Sequence, residues 1–187
     1  MNNILETEGD LEDMIRRSQR NDLEAQEWII KRYQSRVAGF VFSMTGRQDN
    51  IEDLTQTVFI KMLKALPSLK QIERFQSWLF RIARNACLDH LRLQRWTQLF
   101  TRFTRDHEQI PAASTQQFSD DIGWLAHELQ ALPPHQREVI VLMQNDALSY
   151  QEMADILHCS VESVKSRIFR ARSTLNERRK KYERSTS

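Results

Sequence analysis

The amino-acid sequence predicts an all-α protein of two small helical domains joined by a flexible linker. Three observations carry that prediction. Only four glycines and four prolines occur in 187 residues, too few for the tight turns that sandwiches and barrels require. Apolar residues recur at intervals of three and four, the period of a helix with one buried face. Helix-start and helix-stop residues stand at the ends of those stripes.

Leu11, Met14 and Ile15 mark a short first helix. Asn21 or Asp22 caps a longer second one, with the stripe Ile30, Tyr33, Val37, Phe40, Val41, Met44 and a stop at Gly46. Asp49-Asn50 restart the chain, and Leu54, Val58, Phe59, Met62, Leu63 and Leu66 define a third helix ended by Pro67. Residues 67–74 read as a loop. A fourth helix covers about 75–93. Phe75, Leu79, Ile82, Ala83, Ala86 and Leu93 fall on one side, and Arg81, Arg84, Asn85, Arg92 and, if the helix continues, Arg95 on the other. That helix therefore has an apolar back and a basic front.

Residues 95–121 are polar, contain Pro111 and end in Asp120-Asp121. They are expected to form an extended linker, or, around Trp96, Leu99, Phe100 and Phe103, a short amphipathic turn. Helical periodicity resumes with Ile122, Leu125, Leu129 and Leu132, stops at Pro133-Pro134, and resumes again with Val139, Ile140, Leu142 and Met143. The expected domains are thus 1–94 and 122–187.

Within 149–175, Ser149 and Glu152 have the S-x-x-E spacing of a capping box. A short helix with Met153, Ala154, Ile156 and Leu157 follows, then a turn at His158-Cys159-Ser160, then a helix with the stripe Val164, Ile168, Ala171, Leu175. Two crossing helices need a small residue at their contact and an apolar one opposite, and Ala154 and Val164 fit. The outward face then holds Glu162, Ser163, Ser166, Phe169 and Arg170, flanked by Lys165, Arg167 and Arg172. This is the pattern of a helix-turn-helix whose second helix meets base edges in a major groove. Its cations would neutralise phosphates, and Phe169 would meet a thymine methyl. Glu162 either accepts from a cytosine amino group or complements its own helix dipole. His158 stands at a turn position that favours positive φ, where Gly is more comfortable.

The net charge is +2, but it is unevenly spread. Residues 165–184 carry nine Lys/Arg against Glu177 and Glu183, as a phosphate-binding end would. Cys87 and Cys159 are the only cysteines, which excludes a disulfide scaffold and fits a reducing cytoplasm. No apolar run is long enough to span a bilayer. The five histidines are scattered without ligand spacing, so no metal and no cofactor is expected. No phosphate-binding, zinc-protease or nucleophile-elbow motif occurs, so no enzyme activity is expected.

At this point the sequence resembles a bacterial sigma factor of the extracytoplasmic-function group of the sigma-70 family. ALSYQEMADILHCSVESVKSRIFRAR is similar to the family's region 4.2, IEDLTQTVFIKMLKAL (51–66) to region 2.2, FQSWLFRIARNACLDHLR (75–92) to regions 2.3 and 2.4, and LPPHQREVIVL (132–142) adds to the match. The resemblance implies a σ2 domain and a σ4 domain without an intervening σ3. It implies a protein that binds core RNA polymerase, through the β′ clamp and the β flap, and directs it to promoters. By that pattern Asp53, Gln56 and Phe59 meet the clamp. Phe75, Trp78, Arg81, Arg84, Asn85 and Arg92 hold and melt the −10 element, with residues 67–74 cradling a flipped base. Glu162, Ser163, Lys165, Ser166, Arg167, Phe169 and Arg170 read the −35 element, and the linker threads toward the active-site cleft. Trp78 lies near the apolar side, where it is either core or a base-stacking surface. Thr57 replaces the family's usual acid, and His158 and Glu162 its common glycines. The resemblance further implies a membrane-bound anti-sigma partner and a stress or envelope regulon. The competing reading is a dimeric helix-turn-helix regulator that works without polymerase.

Overall fold

In the computed structural model, residues 8–46, 49–104, 120–144 and 148–185 are described. Among them are eight α-helices and no strand: α1 (Glu8–Gln19), α2 (Leu23–Thr45), α3 (Ile51–Ala65), α4 (Phe75–Thr104), α5 (Asp120–Ala131), α6 (Pro134–Met143), α7 (Tyr150–Leu157) and α8 (Val161–Ser185). No described helix is long and apolar enough to cross a membrane.

Local chemistry sets the boundaries. Asp22, not Asn21, caps α2; its carboxylate accepts from the backbone N–H groups of Glu24 and Ala25 at 3.0 and 3.2 Å. Arg17 donates to the same carboxylate at 2.7 Å. This guanidinium, with the Ala25 amide behind it, holds the Asp22 carboxyl below its ordinary range. Asn21 instead takes a left-handed φ of 63° in the turn before the cap. Gly46 ends α2 at φ 69°, where a Cβ would be both strained and driven into the Gln130 side chain. Pro67 ends α3 as expected, but the loop after it is two 3-10 turns, Leu66–Ser68 and Ile72–Arg74.

The expected end of the fourth helix needs correcting. α4 does not stop near residue 93 but runs as one helix to Thr104, and α5 starts at Asp120. Nothing between 94 and 104 breaks a helix, since the first proline there is Pro111. Polarity alone does not end a helix whose residues have good propensity. The remainder of the expected linker, 105–119, lies outside the described residues.

In the N-terminal half, α1, α2, α3 and α4 pack around a core of Ile29, Tyr33, Val37, Phe40, Val58, Met62, Leu79 and Phe80. Tyr33 meets Phe75 edge-on at 5.5 Å, and Phe40 meets Phe80 at 5.4 Å. Arg36 lies over both Tyr33 and Phe80, so its stem covers the core while its charge faces water. Cys87 is fully buried here, and burial pushes its thiol up to about 12. Cys159 is only half-buried. A thiolate-specific reagent is therefore expected to modify one cysteine per folded chain at pH 8, and none in Cys159→Ser. Rapid labelling of the folded Cys159→Ser protein would contradict the buried placement of Cys87.

The C-terminal half packs α6 and α7 against α8. At its far end α8 is tied back to α5: Arg178 pairs with Glu128 at 2.8 Å, and Tyr182 stacks on Trp124 at 5.6 Å. The basic end is thus a structured helix, and Arg178 serves the fold. The two halves also touch. α2 contacts α5 and α6, α4 contacts α7, and the buried apolar cluster is continuous between them.

Candidate nucleic-acid interface

The helix-turn-helix forms as its residues dictate. The Ser149 hydroxyl accepts from the Glu152 amide at 3.2 Å, and the Glu152 carboxylate accepts from the Ser149 amide at 2.9 Å, closing a reciprocal capping box. His158 ends α7 in the left-handed region at φ 51°, as the turn requires. The Cys159 amide then returns to the Ala154 carbonyl at 3.1 Å. Ser160 caps α8, accepting from the Ser163 amide at 3.2 Å. Ala154 is 2% exposed and Val164 0%, so both are buried where α7 packs on α8.

With Val164, Ile168 and Ala171 turned inward, the opposite face of α8 is open. Glu162, Lys165, Ser166, Phe169 and Arg170 are exposed, and Ser163 and Arg167 half-exposed. Phe169 is 74% exposed although it is a large aromatic. It shares a depression with Lys165, Arg172 and Tyr150. Tyr150 is 45% exposed at the start of α7; sequence reading missed it because it precedes the apolar stripe of that helix.

The second expected surface is more mixed. On α4, Arg81, Asn85 and Arg92 are exposed, with Arg92 3.6 Å from Asp89. Trp78 is half-buried; it packs at 5.9 Å on Phe75 and lines a cleft of about 420 Å³. Residues 68–71, Arg74, Ser77 and Arg81 share that cleft, so the 67–74 segment does form one wall of a cavity large enough for a base. Phe75 is only 1% exposed. It belongs to the core, because it sits at the centre of the apolar side of α4 and closes on Tyr33. The expectation that it stacks a base is corrected. Arg84 is not free on the basic front either: its guanidinium donates twice to Glu138 of α6, at 2.9 and 3.2 Å.

On α3, Asp53 and Gln56 are exposed as expected. Phe59 is 6% exposed and belongs to the core cluster with Val58 and Met62, on a helix that packs against both α2 and α4. Its expected surface contact is corrected too. The exposed apolar residue of this face is Ile60, at 46%, one turn beyond Gln56 and beside Thr57. The turn-by-turn spacing 53, 56, 60 could have revealed it. Glu138 was also missed. It lies three and four residues before Val141 and Leu142, on the same buried side of α6, and a carboxylate there needs a partner.

Among the described residues, no group of His, Cys, Asp and Glu could hold a metal ion. The exposed surfaces offer cations, amides and aromatic faces, which suit phosphate and base contact.

Comparison with known proteins agrees with this chemistry. The family model for Sigma-70 region 2 matches residues 29–97, and that for Sigma-70, region 4 matches residues 122–175. The RNA polymerase sigma-H factor of Pseudomonas aeruginosa is 30% identical over 175 residues, covering 88% of this chain and 91% of that protein. The ECF RNA polymerase sigma-E factor of Escherichia coli K12 is 30% identical over 176 residues, covering 88% and 92%. Among solved structures, a complex of sigma factor RpoE with the anti-sigma factor NepR from Bartonella quintana aligns with a TM-score of 0.67 at 27% identity, covering 81% of this chain and 94% of that one. CnrH in complex with the cytosolic domain of CnrY aligns at 0.69 with 25% identity, covering 89% and 95%. Two matched regions in the same order, and relatives aligned over almost their whole length, leave one assignment: the chain belongs to the extracytoplasmic-function group of the sigma-70 family of RNA polymerase sigma factors.

Proposed function

We propose that this chain binds core RNA polymerase in the cytoplasm and brings it to promoters through two DNA-reading surfaces. The observation that carries the reading is the capped α7–turn–α8 unit, whose second helix leaves Glu162, Lys165, Ser166, Phe169 and Arg170 exposed while Val164 and Ala171 are sealed. Such a helix reads the upstream promoter element with its first turns in the major groove. The cleft by Trp78 and the exposed Arg81 and Asn85 of α4 hold the downstream element as it opens. Cations there grip the backbone while the indole offers a face to an unstacked base. Asp53, Gln56 and Ile60 of α3 form the docking face for the clamp. The C-terminal domain takes the flap.

The exposed apolar side chains Ile60, Tyr150 and Phe169 beside basic residues also suit a masking partner of the anti-sigma kind, and a membrane-anchored one would couple this chain to an envelope signal. The polymerase-independent regulator gives no purpose to the α3 face or to the cleft.

The test is reconstitution. Purified chain added to core polymerase is expected to give discrete transcripts from promoters defined by transcript mapping in overexpressing cells. A folded sample that neither joins core polymerase on size exclusion nor supports such transcripts would overturn the proposal.

A further inference from the structure

The segment between α3 and α4 forms one wall of the Trp78 cleft through Ser68, Leu69, Lys70 and Gln71, and α4 and α7 complete the lining. Leu66 and Ile72, at 1% and 8% exposure, pin the two ends of this arc in the core. Pro67, Ser68, Lys70 and Gln71 between them are exposed. Local bonds shape its turns. The Leu69 amide donates to the Leu66 carbonyl at 3.0 Å, the Ser68 hydroxyl to the Ala65 carbonyl at 2.7 Å, and the Ser77 hydroxyl to the Arg74 carbonyl at 3.0 Å. Each joins residues three apart, so none of these bonds fixes where the arc sits on the domain.

Gln19, the last residue of α1, supplies a tie of the missing kind. Its Nε2 donates to the Leu66 carbonyl at 3.1 Å and to the Leu69 carbonyl at 2.8 Å, across 47 and 50 residues of sequence. A carboxamide NH2 carries two protons, and here one serves each carbonyl. The planar group therefore sets the separation of the two carbonyls that bracket Pro67 and Ser68. The nitrogen end must face the turn, because the oxygen end would meet two acceptors. Gln19 is half-buried, so its bonds are partly withdrawn from water, which strengthens them. The anchor behind it is firm. Ile15 of α1 is fully buried, and Leu11 and Met14 pack on the core. Arg17 bonds at 2.7 Å to Asp22, the cap of α2.

We infer that Gln19 is a positioning residue for base recognition, holding the 66–69 turn where the 67–74 segment receives an unstacked base beside Trp78. This rests on the proposed reading of that segment as a base cradle and adds the residue that preorganises it. Gln19 itself touches no nucleic acid; its effect reaches the base through the backbone of Leu66 and Leu69. Without the tie the arc samples several positions, and only a fraction of them accept the base. Affinity for the base falls by that fraction, while the grip of Arg81 on the backbone is unchanged.

The test compares the parent full-length chain with Gln19→Ala and Gln19→Glu. Glutamate keeps the shape but, ionised, has no proton for either carbonyl. Amide hydrogen exchange of the free chain reads the turn. Both variants are expected to speed exchange of the Leu69 amide about tenfold, while amides of α2 around Val37 keep the parent's rate. Anisotropy of a fluorescein-labelled non-template strand of a mapped promoter, with an abasic site at each −10 position in turn, reads base recognition by the complex with core polymerase. The parent is expected to lose about tenfold in affinity at the position whose base enters the cleft, within the range for one stacked base. Both variants are expected to lose less than about threefold there, and to bind the abasic strand as tightly as the parent. A general loss of folded protein would weaken every strand alike and leave the ratio untouched, so the ratio separates positioning from folding. Parent-like exchange in both variants, or a parent-like ratio, overturns the inference. A parent indifferent to every missing base overturns the reading of the cradle, and with it the inference; the exchange rates then show only that Gln19 steadies a turn.

Discussion

Phe59→Ala is expected to lower folding stability by about 3–5 kcal/mol, the usual cost of removing a buried phenyl ring and leaving a cavity. Phe59 is 6% exposed and belongs to the cluster with Val58 and Met62 that α3 presents to α2 and α4. A small domain holds roughly 5–15 kcal/mol in total, so this is a large share. Polymerase binding and DNA binding by the N-terminal domain should fall together, because both depend on the same four-helix core. Ile60→Ala is the informative contrast. With Ile60 46% exposed, its removal should leave the unfolding free energy from urea titration within about 0.5 kcal/mol of the parent while weakening association with core polymerase. A Phe59→Ala protein as stable as the parent would show that the ring is not packed as described.

Arg170→Ala should weaken upstream-element binding by the holoenzyme roughly fivefold to 150-fold, the 1–3 kcal/mol of a good base contact. Arg170 is exposed on the open face of α8, two residues from the sealed Ile168 and one from the sealed Ala171. The substitution therefore touches no core contact, and alanine favours the helix. Binding of the altered chain to core polymerase should be unchanged. The check is holoenzyme affinity for a mapped promoter against the same fragment with its upstream element scrambled. Arg170→Ala should shrink the ratio between the two. An undiminished ratio would mean that Arg170 holds only phosphates or points away from the groove.

Much of this site was legible in the residues themselves. The Ser149–Glu152 box, the His158 turn and the Val164–Ile168–Ala171 stripe each act within a few residues of one another, so their spacing sufficed. The same holds for Asp53 and Gln56, whose distance from the Leu54–Val58 stripe puts them outside. Phe59 and Phe75 were misplaced because an aromatic on a helix bearing function is equally compatible with core and with surface. Only the neighbouring helices decide: Phe59 is buried in the cluster where α3 meets its neighbours, and Tyr33 of α2 closes on Phe75. The end of α4 was misplaced because the polar stretch after residue 94 loses its apolar majority without acquiring a helix breaker.

Helix number, the order of the two domains, the helix-turn-helix and the family came from the sequence alone, because period, capping and motif are properties of short segments. The pairing of Arg84 with Glu138, the contribution of α7 to the lining of the Trp78 cleft, and the capping of α2 by Gln130 and Arg137 came only from the tertiary structure. Those contacts join residues roughly fifty to ninety positions apart. A helical period says which side of a helix is sticky or charged. It does not say which other helix will lie against that side, since that depends on closing a long loop and on which polar groups find partners when water is removed.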